Sequence, residues 1–129
     1  AVGVQVGTRF LIADECLIHE NYKEKLLKAS DVSTMVTGKS MGDAVRCLKT
    51  PFSKKFFKME YDPAVPKEEV LDFGKGAMRK AVFDGDNMGS YLAGEVAGMI
   101  HKKESAKDIV EDIMGGAEKL LKNAPSLVK

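Results

Sequence analysis

The sequence has no marked excess of charge: 20 Lys and Arg stand against 19 Asp and Glu, a formal net charge of +1. A chain this close to neutral has no field with which to collect nucleic acid or an anionic membrane surface, so neither is expected as a partner. Long apolar runs are missing too. None approaches the ~20 residues that cross a bilayer, and no charged leader precedes a signal-type apolar segment. Cysteine is scarce, with Cys16 and Cys47 alone. Their spacing fits no zinc pattern, and without a secretory signal both read as free thiols of a reducing compartment. Internal repeats and low-complexity segments are absent. What remains is a soluble, cytoplasmic chain of ordinary globular composition, with 44% hydrophobic and 30% charged residues over 129 positions, enough for one core.

Residues 2–6 (Val-Gly-Val-Gln-Val) are rich in β-branched side chains, and predict a parallel strand buried on both faces. No Met precedes this strand and nothing later in the chain matches its character, so its neighbours are expected upstream. Residues 19–29 predict a helix with an apolar stripe of Tyr22, Leu26 and Leu27. Residues 31–37 are β-prone, 38–42 are loop-forming, and 44–48 return as an antiparallel partner. Thr50 followed by Pro51 opens a helix with Phe52, Phe56 and Met59 on its apolar side. After a rigid connector at 62–66, Pro66 starts a further helix, with Glu68 and Glu69 in its first turn, expected to run to Phe83 despite Gly74 and Gly76. Residues 84–89 form a dense turn signal.

Residues 90–101 read as the next helix, with Ala93, Gly94, Ala97 and Gly98 as a small face for tight packing. Ser105 caps the last helix, with Asp108 three residues on; Ile109, Val110, Ile113, Met114, Ala117, Leu120 and Leu121 form its stripe. Three other groups read plainly. Lys54, Lys55 and Lys58 make a solvated helix face, Asp84 and Asp86 belong to a turn rather than a metal loop, and His19 and His101 are exposed or helix-terminal.

Gln5, Val6, Gly7 and Thr8 carry the chemistry that the pattern suggests. Gly7 lets the backbone approach an anion, successive amides form a positive nest, and Thr8 adds a hydroxyl donor. Loops after the last strands of a (β/α)8 barrel form such phosphate sites. A strand ending in Gly-Thr is also a common plain turn, and the motif alone leaves both readings open.

The run Gly-Val-Gln-Val-Gly-Thr-Arg-Phe at 3–10 is followed by Asn-Tyr-Lys-Glu-Lys-Leu-Leu-Lys-Ala at 21–29, by Val45-Arg46, and by Gly85-Asp86 ahead of Gly89-Ser90. Together with Ala93-Gly94 and Ala97-Gly98, this ordered series resembles the C-terminal portion of the enoyl-acyl-carrier-protein reductase II and nitronate monooxygenase (2-nitropropane dioxygenase) family over nearly the whole chain. The resemblance implies an α/β fold, the C-terminal fragment of an FMN-binding (β/α)8 (TIM) barrel with a mostly helical lid insertion. Residues 1–30 would be the last barrel strand and its following helix, 31–103 the lid with a small β-hairpin, and 104–129 the returning barrel helix.

On the same resemblance Gln5, Val6, Gly7 and Thr8 bind FMN, NADH or NADPH is the co-substrate, and Leu92, Gly94 and Glu95 lie near the substrate. The family's catalytic His is expected upstream; neither His19 nor His101 matches it, and no metal is implied. Glu95 stands where the family usually has Gln, and an ionised carboxylate cannot donate the amide's hydrogen bonds. The implied function is NAD(P)H-dependent reduction of enoyl thioesters in fatty-acid synthesis, because the 21–29 stretch looks most like the reductase branch. The alternatives are a nitronate monooxygenase using O2, and a non-catalytic lid or interaction module. Implied partners are an acyl-thioester or other small-molecule substrate, acyl carrier protein, the rest of the barrel, and a second copy in a homodimer.

Overall fold

A short helix, α1 (Thr8–Leu11), opens the computed structural model, which describes residues 3–127. The second helix, α2 (Glu20–Leu27), starts where His19 caps it, the imidazole Nδ1 accepting the N–H of Asn21 at 3.1 Å. That bond takes up an N-terminal donor with no intrahelical partner. On its buried side Tyr22 and Leu26 enter the core. Lys23 is buried with them, its Nζ donating to the Ala13 carbonyl at 2.7 Å and so holding the segment that follows α1.

The predicted hairpin forms as β1 (Thr34–Thr37) and β2 (Val45–Leu48), antiparallel, with Thr34 opposite Leu48 and Thr37 opposite Val45. Its loop is fastened by Glu60, whose carboxylate accepts the N–H groups of Gly38 at 2.9 Å and Ser40 at 2.7 Å. Helix α3 (Pro51–Glu60) begins with a reciprocal cap. Thr50 Oγ1 accepts from the Ser53 N–H, Ser53 Oγ accepts from the Thr50 N–H, and Pro51 supplies the first helical φ. Ser53 Oγ also donates to the Leu48 carbonyl at 2.9 Å, fixing α3 to the end of β2. Helix α4 (Lys67–Gly74) packs on α3 through Phe73, stacked on Phe52 with ring centroids 5.2 Å apart.

Of the strand expected at 2–6 with its neighbours upstream, Val2 lies outside the described residues, and 3–7 are exposed and form no ladder among the described residues. Two other expectations are overturned by tertiary structure. The helix from Pro66 does not run to Phe83. It stops at Gly74; Gly76 takes a φ of 70°, in the left-handed region that interrupts a right-handed helix, and a new turn starts at α5 (Ala77–Arg79).

The second correction is the larger. Residues 90–101 are not a helix. They run extended along the free edge of β2, where Leu48 N–H donates to the Tyr91 carbonyl at 2.8 Å and Ala93 N–H to the Arg46 carbonyl at 3.1 Å. A short 3-10 turn, Glu95–Met99, follows. The small residues serve this path instead of a helix face: a Cβ on Gly98 would stand 2.5 Å from the Ser30 carbonyl carbon.

The core gathers Ile12, Tyr22, Leu26, Leu48, Ala81, Tyr91, Ala93, Ala97 and Ile100. The last helix, α6 (Ala106–Asn123), is capped by Ser105 Oγ accepting the Asp108 N–H at 3.0 Å. It is moored at its start, where Asp14 N–H donates to the Glu104 carbonyl and Ala106 N–H to the Glu15 carboxylate. Of its stripe only Ile109 is buried; Val110, Met114, Leu120 and Leu121 face solvent. No helix among the described residues is long and apolar enough to cross a membrane.

Candidate functional site

The loop at Gly7 and Thr8 meets a segment more than eighty residues away in sequence. Thr8 Oγ1 accepts the N–H of Gly94 at 2.8 Å. A Cβ on residue 94 would lie 3.3 Å from that oxygen, so a glycine there keeps the approach free of crowding. The contact forms one wall of an open cavity of about 410 Å³ lined by Gly7, Thr8, Leu11, Arg46, Leu92, Ala93 and Gly94. Four of the residues singled out in the sequence, Gly7, Thr8, Leu92 and Gly94, therefore converge. Gln5 and Val6 are exposed and lie outside this lining. Glu95 stands at the edge, its side chain lining a neighbouring groove with Ser30, Val96, Met99 and His101.

Pairing with β2 sets the height of Leu92 and Ala93, and a buried phenol sets their orientation. Tyr22 Oη donates to the Leu92 carbonyl at 2.7 Å, while its ring meets Tyr91 edge-on with centroids 4.8 Å apart. Burial pushes the Tyr22 phenol far above its ordinary range, so it is a neutral donor throughout physiological pH. Leu92 also borders a second cavity of about 380 Å³, predominantly apolar, whose wall includes Val45, Phe52, Phe56, Leu71 and Met78. Leu92 thus borders two cavities, both lined mainly by apolar surface.

Two arginines lie near the loop, and only one faces the cavity. Arg9 is engaged elsewhere, paired with the Glu104 carboxylate and donating to the Lys102 carbonyl at 3.2 Å. Arg46 lines the cavity, with Nη1 donating to Thr34 Oγ1 at 3.0 Å and Nη2 lying 3.5 Å from Glu95 Oε1. Sequence reasoning noted Arg46 within a matching dipeptide but assigned it no role. An isolated arginine on a strand carries no signal until the fold sets it beside Thr8. The signal available was its place in β2, one strand position from the buried Cys47.

These groups suit a flavin phosphate. The amides of Thr8 and Arg9, in the first turn of α1, have no intrahelical acceptor. Thr8 retains its O–H as a donor, and a Cβ built on Gly7 meets nothing within 4 Å, so the approach to these donors is open. His19 is occupied in capping α2, and His101 is exposed. Among the described residues no three His, Cys, Asp or Glu side chains are grouped to hold a metal ion.

An α/β chain with an anion-ready loop facing a two-chambered wall has close counterparts. The structure matches that of FabK from Thermotoga maritima with a TM-score of 0.90 at 35% identity, covering 98% of this chain and 40% of that one. A point mutant of the same FabK matches at 0.81 and 33% identity, over 99% of this chain and 38% of the other. The Staphylococcus saprophyticus protein named "Probable nitronate monooxygenase" is 27% identical over 122 residues, which are 94% of this chain and 34% of that protein. The family model described as nitronate monooxygenase matches residues 1–116. The chain belongs to the nitronate monooxygenase family, a family of oxidoreductases, and spans little more than a third of the relatives it matches.

Proposed function

We propose that this chain forms the phosphate-side wall and lid of an FMN-dependent oxidoreductase that reduces enoyl thioesters with NADH or NADPH. The observation that carries the reading is the meeting of Gly7 and Thr8 with Leu92, Ala93, Gly94 and Arg46 around one cavity. In this reading residues 1–30 end the barrel, 31–103 are the lid, and 104–129 return to the barrel. The remaining walls and the catalytic residues come from the rest of the barrel. The amides and hydroxyl at Thr8 bind the phosphate, and the Thr8–Gly94 hydrogen bond holds the lid segment against the loop. When bound, the flavin supplies the hydride chemistry, and the protein orients it and excludes water.

The apolar cavity behind Leu92 favours an acyl-bearing substrate over a small nitronate, since it offers about 380 Å³ of largely apolar space for a chain. Nitronate oxidation with O2 is the second reading, favoured by the family description and the staphylococcal relative. An acyl carrier protein as donor of the thioester, a homodimer and a cytoplasmic setting belong to the first reading.

The deciding assay gives a full-length protein containing this chain NADH with a crotonyl thioester in one arm and a nitronate under air in the other. Reduction of the thioester is expected; turnover of the nitronate alone replaces the first reading with the second. The 129-residue chain by itself is expected to bind FMN weakly or not at all, because its cavity is open on one side. A stoichiometric yellow complex of the purified chain would overturn that expectation.

A further inference from the structure

We infer that the cavity between the end of α2 and the start of α3 binds a phosphate monoester or free phosphate through Lys25, Lys28 and Lys49. It encloses about 210 Å³, shares no lining residue with the two cavities at Leu92, and has a far more polar wall than either. Its lining holds these three lysines with Ser33, Thr50 and Pro51, and no carboxylate. Lys25 and Lys28 come from the end of α2, and Lys49 directly follows β2, so only the fold brings the three together.

Three like charges at one cavity repel one another, and little within the chain offsets them. Lys25 Nζ donates to Asn87 Oδ1 at 2.8 Å, and Lys49 Nζ to the Val32 carbonyl at 2.7 Å. Both ammonium groups are thus held by neutral oxygens, and each keeps two further N–H donors. Lys28 meets a carboxylate, Glu24 at 3.3 Å, but that pair is exposed on both sides and exchanges readily. Thr50 and Pro51 add the N-terminal end of a ten-residue helix to the wall, where the helix dipole favours a negative ligand. A phosphate monoester brings about two negative charges and three acceptor oxygens in a small volume, which matches three ammonium groups. A carboxylate brings one charge.

The test uses a full-length protein containing this chain, with lysine acetylation by acetic anhydride mapped by peptide mass spectrometry. Inorganic phosphate should slow acetylation of Lys25, Lys28 and Lys49 together, half-maximally at about 1–10 mM. Lys54, Lys55 and Lys58, exposed on α3, are the internal reference and should react as before. Sodium chloride at equal ionic strength should protect none of the six. Lys49→Gln should raise the half-protecting concentration for Lys25 and Lys28 about two- to fivefold, the worth of one exposed charge pair. Lys49→Arg keeps the charge and should leave it nearly unchanged. Protection no greater than that by chloride, equal protection of the α3 lysines, or a Lys49→Gln variant without effect would overturn the proposal.

The group has two sources, free phosphate or the ribose phosphate that distinguishes NADPH from NADH, and only the second rests on the proposed function. Protection by NADPH where NADH gives none assigns the ribose phosphate. Protection by inorganic phosphate and by neither nucleotide assigns free phosphate, while NADH protecting as well as NADPH would overturn the monoester assignment. Protection needs no turnover, so this site and the thioester reading fail separately.

Discussion

Residues 90–101 and helix α6 read alike in the sequence and behave as opposites in the fold. Both carry small or apolar residues at helical spacing and both were expected to be packed helices. The first became an extended stretch and a short turn at the centre of the core, with Tyr91 and Ala97 fully buried and Ala93 nearly so. The second formed the expected helix, with most of its apolar stripe uncovered among the described residues. Local pattern fixes the shape of a segment only where no neighbour offers its backbone a better arrangement. The free edge of β2 made such an offer to 91–93, and nothing among the described residues made one to the second half of α6.

The contrast can be broken most forcefully at Tyr91. Tyr91→Ala removes a fully buried ring and its edge-on contact with Tyr22, and should cost about 3–5 kcal/mol in urea unfolding. Gly98→Ala forces a methyl against the Ser30 backbone at 2.5 Å and should cost about 1–3 kcal/mol; a neutral result would mean that this turn is not packed as described. Tyr22→Phe removes the hydrogen bond to the Leu92 carbonyl and should cost about 1 kcal/mol, with amide shifts concentrated at residues 91–94.

A pH dependence sharpens the same side of the comparison. Burial pushes the Cys47 thiol above its usual value, beside the bridge to Leu92. Its contribution to stability is complete below the ordinary thiol pKa of about 8.5 and is lost as pH rises through the folded value. Unfolding midpoints should therefore fall at alkaline pH, less steeply in Cys47→Ala, and a thiol reagent should label the half-buried Cys16 well before Cys47. The smallest effect is expected on the other side. In the 129-residue chain Leu120→Ala in α6 should change stability by no more than about 0.5 kcal/mol, since Leu120 is 72% exposed there. A loss comparable with Tyr91→Ala would show that the stripe is covered in solution.

Elements with strong local chemistry were legible in advance: the hairpin around 38–44, the Thr50–Pro51 start of α3, the Ser105 cap and the turn at 84–89. Each depends on hydrogen bonds or φ preferences within a few residues, which a one-dimensional reading can see. The strand expected at 2–6 has no partner among the described residues, and a strand is defined by its partner. The break at Gly76 was underestimated because helical spacing continues on both sides of it.

For the candidate site, the sequence by itself determined the parts. Gln5, Val6, Gly7 and Thr8 as an anion-ready loop, and Leu92, Gly94 and Glu95 as residues near the substrate, were named from residue type and ordered resemblance. Only the tertiary structure decided their arrangement. It drew Thr8 Oγ1 to the Gly94 amide, turned Arg46 toward the cavity while Glu104 held Arg9, and set exposed Glu95 against Arg46. The reason is physical. Caps and turns draw their hydrogen bonds from neighbours along the chain, whereas pairing along a sheet edge and the meeting of charges depend on groups far apart in sequence, whose positions are set when the whole core closes.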